Sequence, residues 1–205
     1  MARRLPLAYY QSDDVTGIAR DLLGKILVTR FEGQLTAGRI VEAEAYMGPV
    51  DRASHAWNNR RTARTEVMFS AGGVAYIYLC YGIHHMMNVV TGPAGQPHAV
   101  LIRALEPLEG LDIMGQRRNL AVDHPRLTVG PGALARAMGL HVQWSGTSLT
   151  RRQSPLWIEE ASSLSPESIC AGPRIGVDYA GEAASWPWRF FIRDSAWVSA
   201  RRKCT

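Results

Sequence analysis

Apolar and polar positions along this chain follow two periods. Over residues 12–24, SDDVTGIARDLLG, the residues Val15, Ile18, Ala19, Leu22 and Leu23 recur at the three- and four-residue spacing of a helical stripe. Ser12 or Asp13 is the candidate N-cap and Gly24 the stop. From residue 25 the period falls to two: KILVTRF (25–31), the turn EGQ and LTAGRIVEAEAY (35–46) read as a β-hairpin. Further strands are expected at VAYIYLCY (74–81), HHMMNVVT (84–91), HAVLIRAL (98–105), LWIEE (156–160) and WRFFIRD (188–194), with Gly82 turning the chain between the first two. Helices are expected over 106–119 and over GPGALARAMGL (130–140). Strands grouped in hairpins, with helices between the groups, predict an α+β fold and not alternating βαβ units. No repeat or long linker divides the sequence, so one domain over residues 1–205 is expected, with short flexible tails at both ends.

Within RIVEAEAY (39–46), strict alternation places Ile40, Glu42, Glu44 and Tyr46 on one face. On a solvated face two acids need no explanation. On the wall of a cleft, one of them can do chemistry, and periodicity does not choose between them. In AVLIRALEP, Leu101, Arg103 and Leu105 share a face. An arginine among such neighbours is fully buried only with a carboxylate partner. By its own segment Arg103 reads as a strand-end residue reaching solvent, and a pairing with Glu42 or Glu44 is the sharper alternative. YIYLCYG carries Tyr76, Tyr78 and Tyr81, which read as half-buried strand aromatics, except that Tyr81 precedes Gly82 and should project at a hairpin tip. The loop 47–67 sets Arg52, Arg60, Arg61 and Arg64 against Asp51 and Glu66 and reads as a solvated segment. His55 within it says nothing by itself. His84 and His85 are strand neighbours pointing to opposite faces, so no metal site is expected. Neither a phosphate-cradling glycine loop nor a GxSxG elbow occurs.

Composition adds partners and compartment. The net charge is +5, and every basic residue except Lys25 and Lys203 is an arginine. Guanidinium forks suit phosphate oxygens, so a polyanion is a plausible partner, while a lysine Schiff base has only two candidates. Cys80, Cys170 and Cys204 are odd in number, far apart and without a CxxC, which predicts reduced thiols, with Cys80 a small buried hydrophobe. No apolar run reaches the length of a membrane span and no secretory signal opens the chain, so a soluble cytoplasmic protein is expected.

Taken together, RIVEAEAYMGPVDRASH, the MF at 68–69, YIYLCYG, MNVV, VLIRALEPLEG, GPG, RIGV and RFFIRDSAWVS resemble the alkyladenine (3-methyladenine) DNA glycosylase family, in the right order from about residue 20 to 199. The resemblance implies a mainly antiparallel, curved β-sheet with flanking helices and a protruding β-hairpin. It implies a monofunctional enzyme that needs no cofactor, acts as a monomer on double-stranded DNA containing damaged purines, and associates with the nucleoid through that DNA. By the same resemblance Glu44 is the general base for the attacking water, Arg103 helps hold that water, and the backbone carbonyl of Ile175 is its third partner. Tyr46, His55 and Tyr78 sandwich a flipped base, Asn88 crowds the amino group of guanine, and Tyr81 fills the space the base leaves. Arg60, Arg64 and Arg136 are phosphate-binding candidates, Arg136 because GPGALAR has Ala133 where family members often carry a lysine. Glu42 is expected to be structural. The competing readings are a non-catalytic damage-binding protein on the same fold, a bifunctional glycosylase/lyase and an RNA-binding module.

Overall fold

The structure is a computed structural model that describes residues 3–199 and 204; the expected tails fall mostly on residues 1–2, 200–203 and 205, outside the described residues. Among the described residues, eight strands form one antiparallel sheet: β1 (Ile26–Phe31), β2 (Gln34–Met47), β3 (Ala75–Cys80), β4 (His84–Thr91), β5 (His98–Glu109), β6 (Leu156–Glu159), β7 (Ile169–Gly172) and β8 (Arg189–Ile192). The helices are α1 (Leu7–Tyr10), α2 (Val15–Asp21), α3 (Leu111–Arg118) and α4 (Pro131–Ala137). This is the expected α+β class, and the sheet order β3-β4-β5-β2-β1-β6 puts β2 among its inner strands.

β2 organises the molecule. One edge pairs with β5 along nearly its whole length, while the other pairs first with β1 and then, at Glu42–Glu44, with β8. A strand covered on both edges and both faces should be close-packed, and from Ile40 to Ala45 every residue of β2 is buried. Ile40, Ala43 and Ala45 belong to the main core with Val100, Ile102 and Leu105 of β5 and with Ile18, Leu22 and Leu134. Strict alternation puts Ile40 on the face of the two glutamates; it lies instead in the core with Ala43 and Ala45. The β2–β5 ladder shifts register between Ile40 and Ala43, and each such irregularity re-aims the side chains beside it.

Four further expectations change. The helix expected from residue 106 starts at Leu111, because β5 continues to Glu109 and Gly110, at φ 75°, turns the chain tightly against the backbone of Leu35. The N-cap of α2 is Asp14, whose Oδ1 accepts from the Gly17 N–H at 2.7 Å, and not Ser12 or Asp13. Asp51 in the basic loop is fully buried. Cys170 and Cys204 are paired in a disulfide, and Cys80 is a half-buried free thiol near a hairpin tip, so three reduced thiols with a buried Cys80 is not what the structure has. Among the described residues no helix is long and apolar enough to cross a membrane.

Candidate active site

β2 brings two carboxylates beneath a cavity, and β5 supplies the arginine that joins them. Glu42 and Glu44 are both fully buried, and Arg103 is 6% exposed. Arg103 donates from Nε to Glu42 Oε1 (3.1 Å) and from NH1 to Glu44 Oε2 (3.1 Å). Of the two sequence readings of Arg103, the paired one is correct. Burial opposes its charge, but Glu44 and Glu42 outweigh that and raise the guanidinium above its ordinary range.

The two acids differ in company. Glu42 also accepts from Arg189 NH1 (2.9 Å) and from the N–H and hydroxyl of Ser199 (2.7 and 2.9 Å), so it sits in a network of donors with no open side. Glu44 accepts from the Tyr46 hydroxyl (2.8 Å) and from the Ile175 N–H (2.7 Å), besides Arg103. Those three partners of Glu44 all line a cavity of about 490 Å3, so Glu44 lies directly behind its wall and not on it. The same cavity is lined by His55, Tyr78, Asn88 and Tyr81, which the sequence scattered over three segments.

Each wall residue is fixed by its neighbours. The His55 and Tyr78 rings meet edge-on at 4.6 Å between centroids. His55 Nδ1 lies 3.0 Å from the Tyr76 hydroxyl, and Arg64 NH2 lies 3.4 Å from Nε2. Arginine only donates, so Nε2 accepts and the proton sits on Nδ1 of a neutral ring. Burial, aided by Arg64 and Arg60, brings the His55 pKa down to about 4. Burial likewise raises the phenols of Tyr46, Tyr76 and Tyr78. Asn88 is buried and donates from Nδ2 to the Tyr76 carbonyl (3.1 Å).

The rim of the cavity is the β3–β4 hairpin. Tyr81 and Gly82 both have positive φ (50° and 73°), and the Ile83 N–H bonds back to the Cys80 carbonyl, the pattern of a tight hairpin turn. A non-glycine residue there is strained by roughly 1–3 kcal/mol, and what the strain accompanies is a tyrosine 92% exposed at the tip.

The phosphate-binding candidates fare differently. Arg64 lines the cavity with its guanidinium 4.7 Å above the Tyr78 ring, Arg60 lines an adjoining hollow of about 370 Å3, and Arg136 lies on α4 with its Nε donating to the Arg117 carbonyl. Sequence reasoning missed a second buried ion pair. Arg174 grips both oxygens of Asp51, donates to the carbonyls of Ala45 and Ala183, and lies 4.7 Å from the Tyr46 ring. It therefore fixes both Tyr46 and the segment that presents the Ile175 N–H. The only signal for it was an acid in a loop that otherwise reads as solvated. Among the described residues no three His, Cys, Asp or Glu side chains converge as a metal site; His84 lies against Gly132 while His85 contacts His141.

The family model described as Methylpurine-DNA glycosylase (MPG) matches residues 8–196. Three curated relatives, each named "Putative 3-methyladenine DNA glycosylase", extend the match. That of Chlamydia abortus (strain DSM 27085 / S26/3) is 47% identical over 190 residues, covering 92% of this chain and 97% of its own. That of Bacillus mycoides (strain KBAB4) is 45% identical over 201 residues, covering 95% and 98%. That of Desulfitobacterium hafniense (strain Y51) is 43% identical over 206 residues, covering 97% and 100%. Similarity of this depth, running through every segment that builds the cavity, makes the chain a member of the methylpurine-DNA glycosylase family, and so a DNA glycosylase, a hydrolase of N-glycosyl bonds.

Proposed function

We propose that this DNA glycosylase excises damaged purines, alkylated or deaminated, from duplex DNA as a monomer and leaves an abasic site. The observation that carries this reading is Glu44, a buried carboxylate held by three donors immediately behind an aromatic cavity. The glycosidic carbon is out of reach within a stacked helix, so the target nucleotide is flipped into the cavity. Tyr46, His55 and Tyr78 sandwich the base, Asn88 crowds the amino group of guanine, and the exposed Tyr81 enters the minor groove and takes the vacated space. Aromatic faces favour cationic alkylpurines by about 0.5–2 kcal/mol per contact. Arg60, Arg64 and Arg136 take backbone phosphates.

The water is activated by Glu44, with Arg103 and the Ile175 carbonyl as its other partners. The carboxylate takes the water's proton and stabilises the positive charge that develops on the sugar. Lys25, one of the two lysines, is buried and paired with Asp21 and Glu160, so it is not poised for a Schiff base; the other, Lys203, lies outside the described residues. Hydrolysis without strand cleavage is therefore the favoured course. Duplexes carrying 3-methyladenine, hypoxanthine or ethenoadenine test the reading. The chain should release free base and break the strand only after alkali, and Glu44→Gln should bind the lesion but release nothing. Full excision by Glu44→Gln would overturn it.

A further inference from the structure

A carboxylate offers about four lone-pair positions, and the three donors to Glu44 are shared unevenly. Oε2 receives both the Tyr46 hydroxyl (2.8 Å) and Arg103 NH1 (3.1 Å), while among the described residues Oε1 receives only the Ile175 N–H (2.7 Å). We propose that Tyr46 is a positioning residue for hydrolysis: its hydroxyl, together with Arg103, fills Oε2, and so leaves Oε1 as the oxygen that takes the water's proton. This rests on the reading of Glu44 as general base. In the step, one water proton passes to Oε1 and the water oxygen forms a bond to the sugar's anomeric carbon. The bond from that carbon to the base nitrogen breaks, and its electron pair leaves with the base.

The surroundings hold Tyr46 in this role. Its ring lies against the Arg174 guanidinium, which is clamped on Asp51, and Asp51 Oδ2 also accepts from the Met47 N–H next along the strand (3.3 Å). The ring therefore has little freedom to swing its hydroxyl away from Oε2. Burial, then the charge of Glu44, pushes the phenol well above its ordinary pKa, so it keeps its proton and remains a donor. A residue that only stacks on a base needs the ring and not the hydroxyl. Because i and i+2 on a strand share a face, Tyr46 can do both: its ring walls the cavity while its oxygen reaches the neighbouring glutamate.

Tyr46→Phe separates the two roles, since it keeps the ring and removes only the donor. The measurement is single-turnover excision of hypoxanthine over a range of enzyme concentrations, with Glu44→Gln as reference and the unfolding midpoint as control. A hydrogen bond to a charged group, lost from the reacting geometry, corresponds to a maximal rate roughly 10- to 100-fold lower. Half-saturation should stay within about twofold, and because the same bond is lost from the folded ground state the unfolding midpoint should fall by no more than about 10 °C, with excision measured well below it. An unchanged maximal rate in Tyr46→Phe, with Glu44→Gln inactive, would overturn the role of Tyr46 alone. So would a loss confined to half-saturation, or one accounted for by a smaller folded fraction. An active Glu44→Gln would instead remove the base assignment on which the proposal rests.

Discussion

Replacing Glu42 by Gln tests whether the two buried glutamates have divided their labour between stability and chemistry. Glu42 carries no exposed surface and accepts from Arg103, Arg189 and both donors of Ser199 at 2.7–3.1 Å. Gln keeps one acceptor oxygen but sets an NH2 group among donors and removes the charge facing two guanidiniums. Removing one partner of a buried ion pair costs about 3–5 kcal/mol, and the retained oxygen argues for the lower end, about 3 kcal/mol. For a chain of this size, each kcal/mol moves the unfolding midpoint by about 2–4 °C, so a fall of about 6–12 °C is expected. Glu44 keeps all three of its donors in this variant, so single-turnover excision by the folded fraction, measured well below the midpoint, should fall less than about tenfold. Circular dichroism melts and lesion-duplex assays on the same preparation give both quantities. A midpoint within 1–2 °C of the parent, or excision as completely lost as in Glu44→Gln, would refute the division.

Two further predictions concern the rim and the cavity wall. Tyr81→Ala should leave the unfolding midpoint unchanged, because the side chain is 92% exposed and alanine keeps the Cβ at the same positive φ, yet weaken binding to lesion duplexes; unaltered affinity would remove Tyr81 from the DNA interface. For His55, folded pKa about 4 against an ordinary 6.5, the unfolded chain takes up a proton below about pH 6.5 while the folded chain does not until about 4. Stability from this residue is therefore complete above pH 6.5 and lost as pH falls towards 4. The loss should be about 1–2 kcal/mol once screening at a half-buried ring is allowed for. Urea midpoints across this range should decline less steeply in His55→Gln, and parallel profiles would disprove the linkage.

Much of the local structure is legible from period alone. The two-residue alternation of 25–46, the tyrosine strand ending at Gly82 and the stripe of α2 all form near the positions their residues dictate. The boundaries that moved did so for tertiary reasons: β5 runs on through Pro107 because its far end pairs with Gly38 and Ala37 of β2. Strand β7, a short four-residue segment, is ordered by pairing with β8 and carries no comparable signal of its own.

The candidate site divides in the same way. The sequence by itself, through alternation, placed Ile40, Glu42, Glu44 and Tyr46 on one side of a strand; Arg103 does gather Glu42 and Glu44, which Tyr46 joins, but the register shift turns Ile40 to the core. The motif resemblance singled out Glu44. Only the tertiary structure decided why Glu44 differs from Glu42, because that depends on donors from remote segments: Ser199 and Arg189 close around one acid, while Ile175 and the cavity wall meet the other. It also decided that Arg103 and Asp51 are buried in ion pairs, which no local pattern reveals. A charge enters a core only when its partner arrives from elsewhere in the chain, and Arg174 is 123 residues from Asp51.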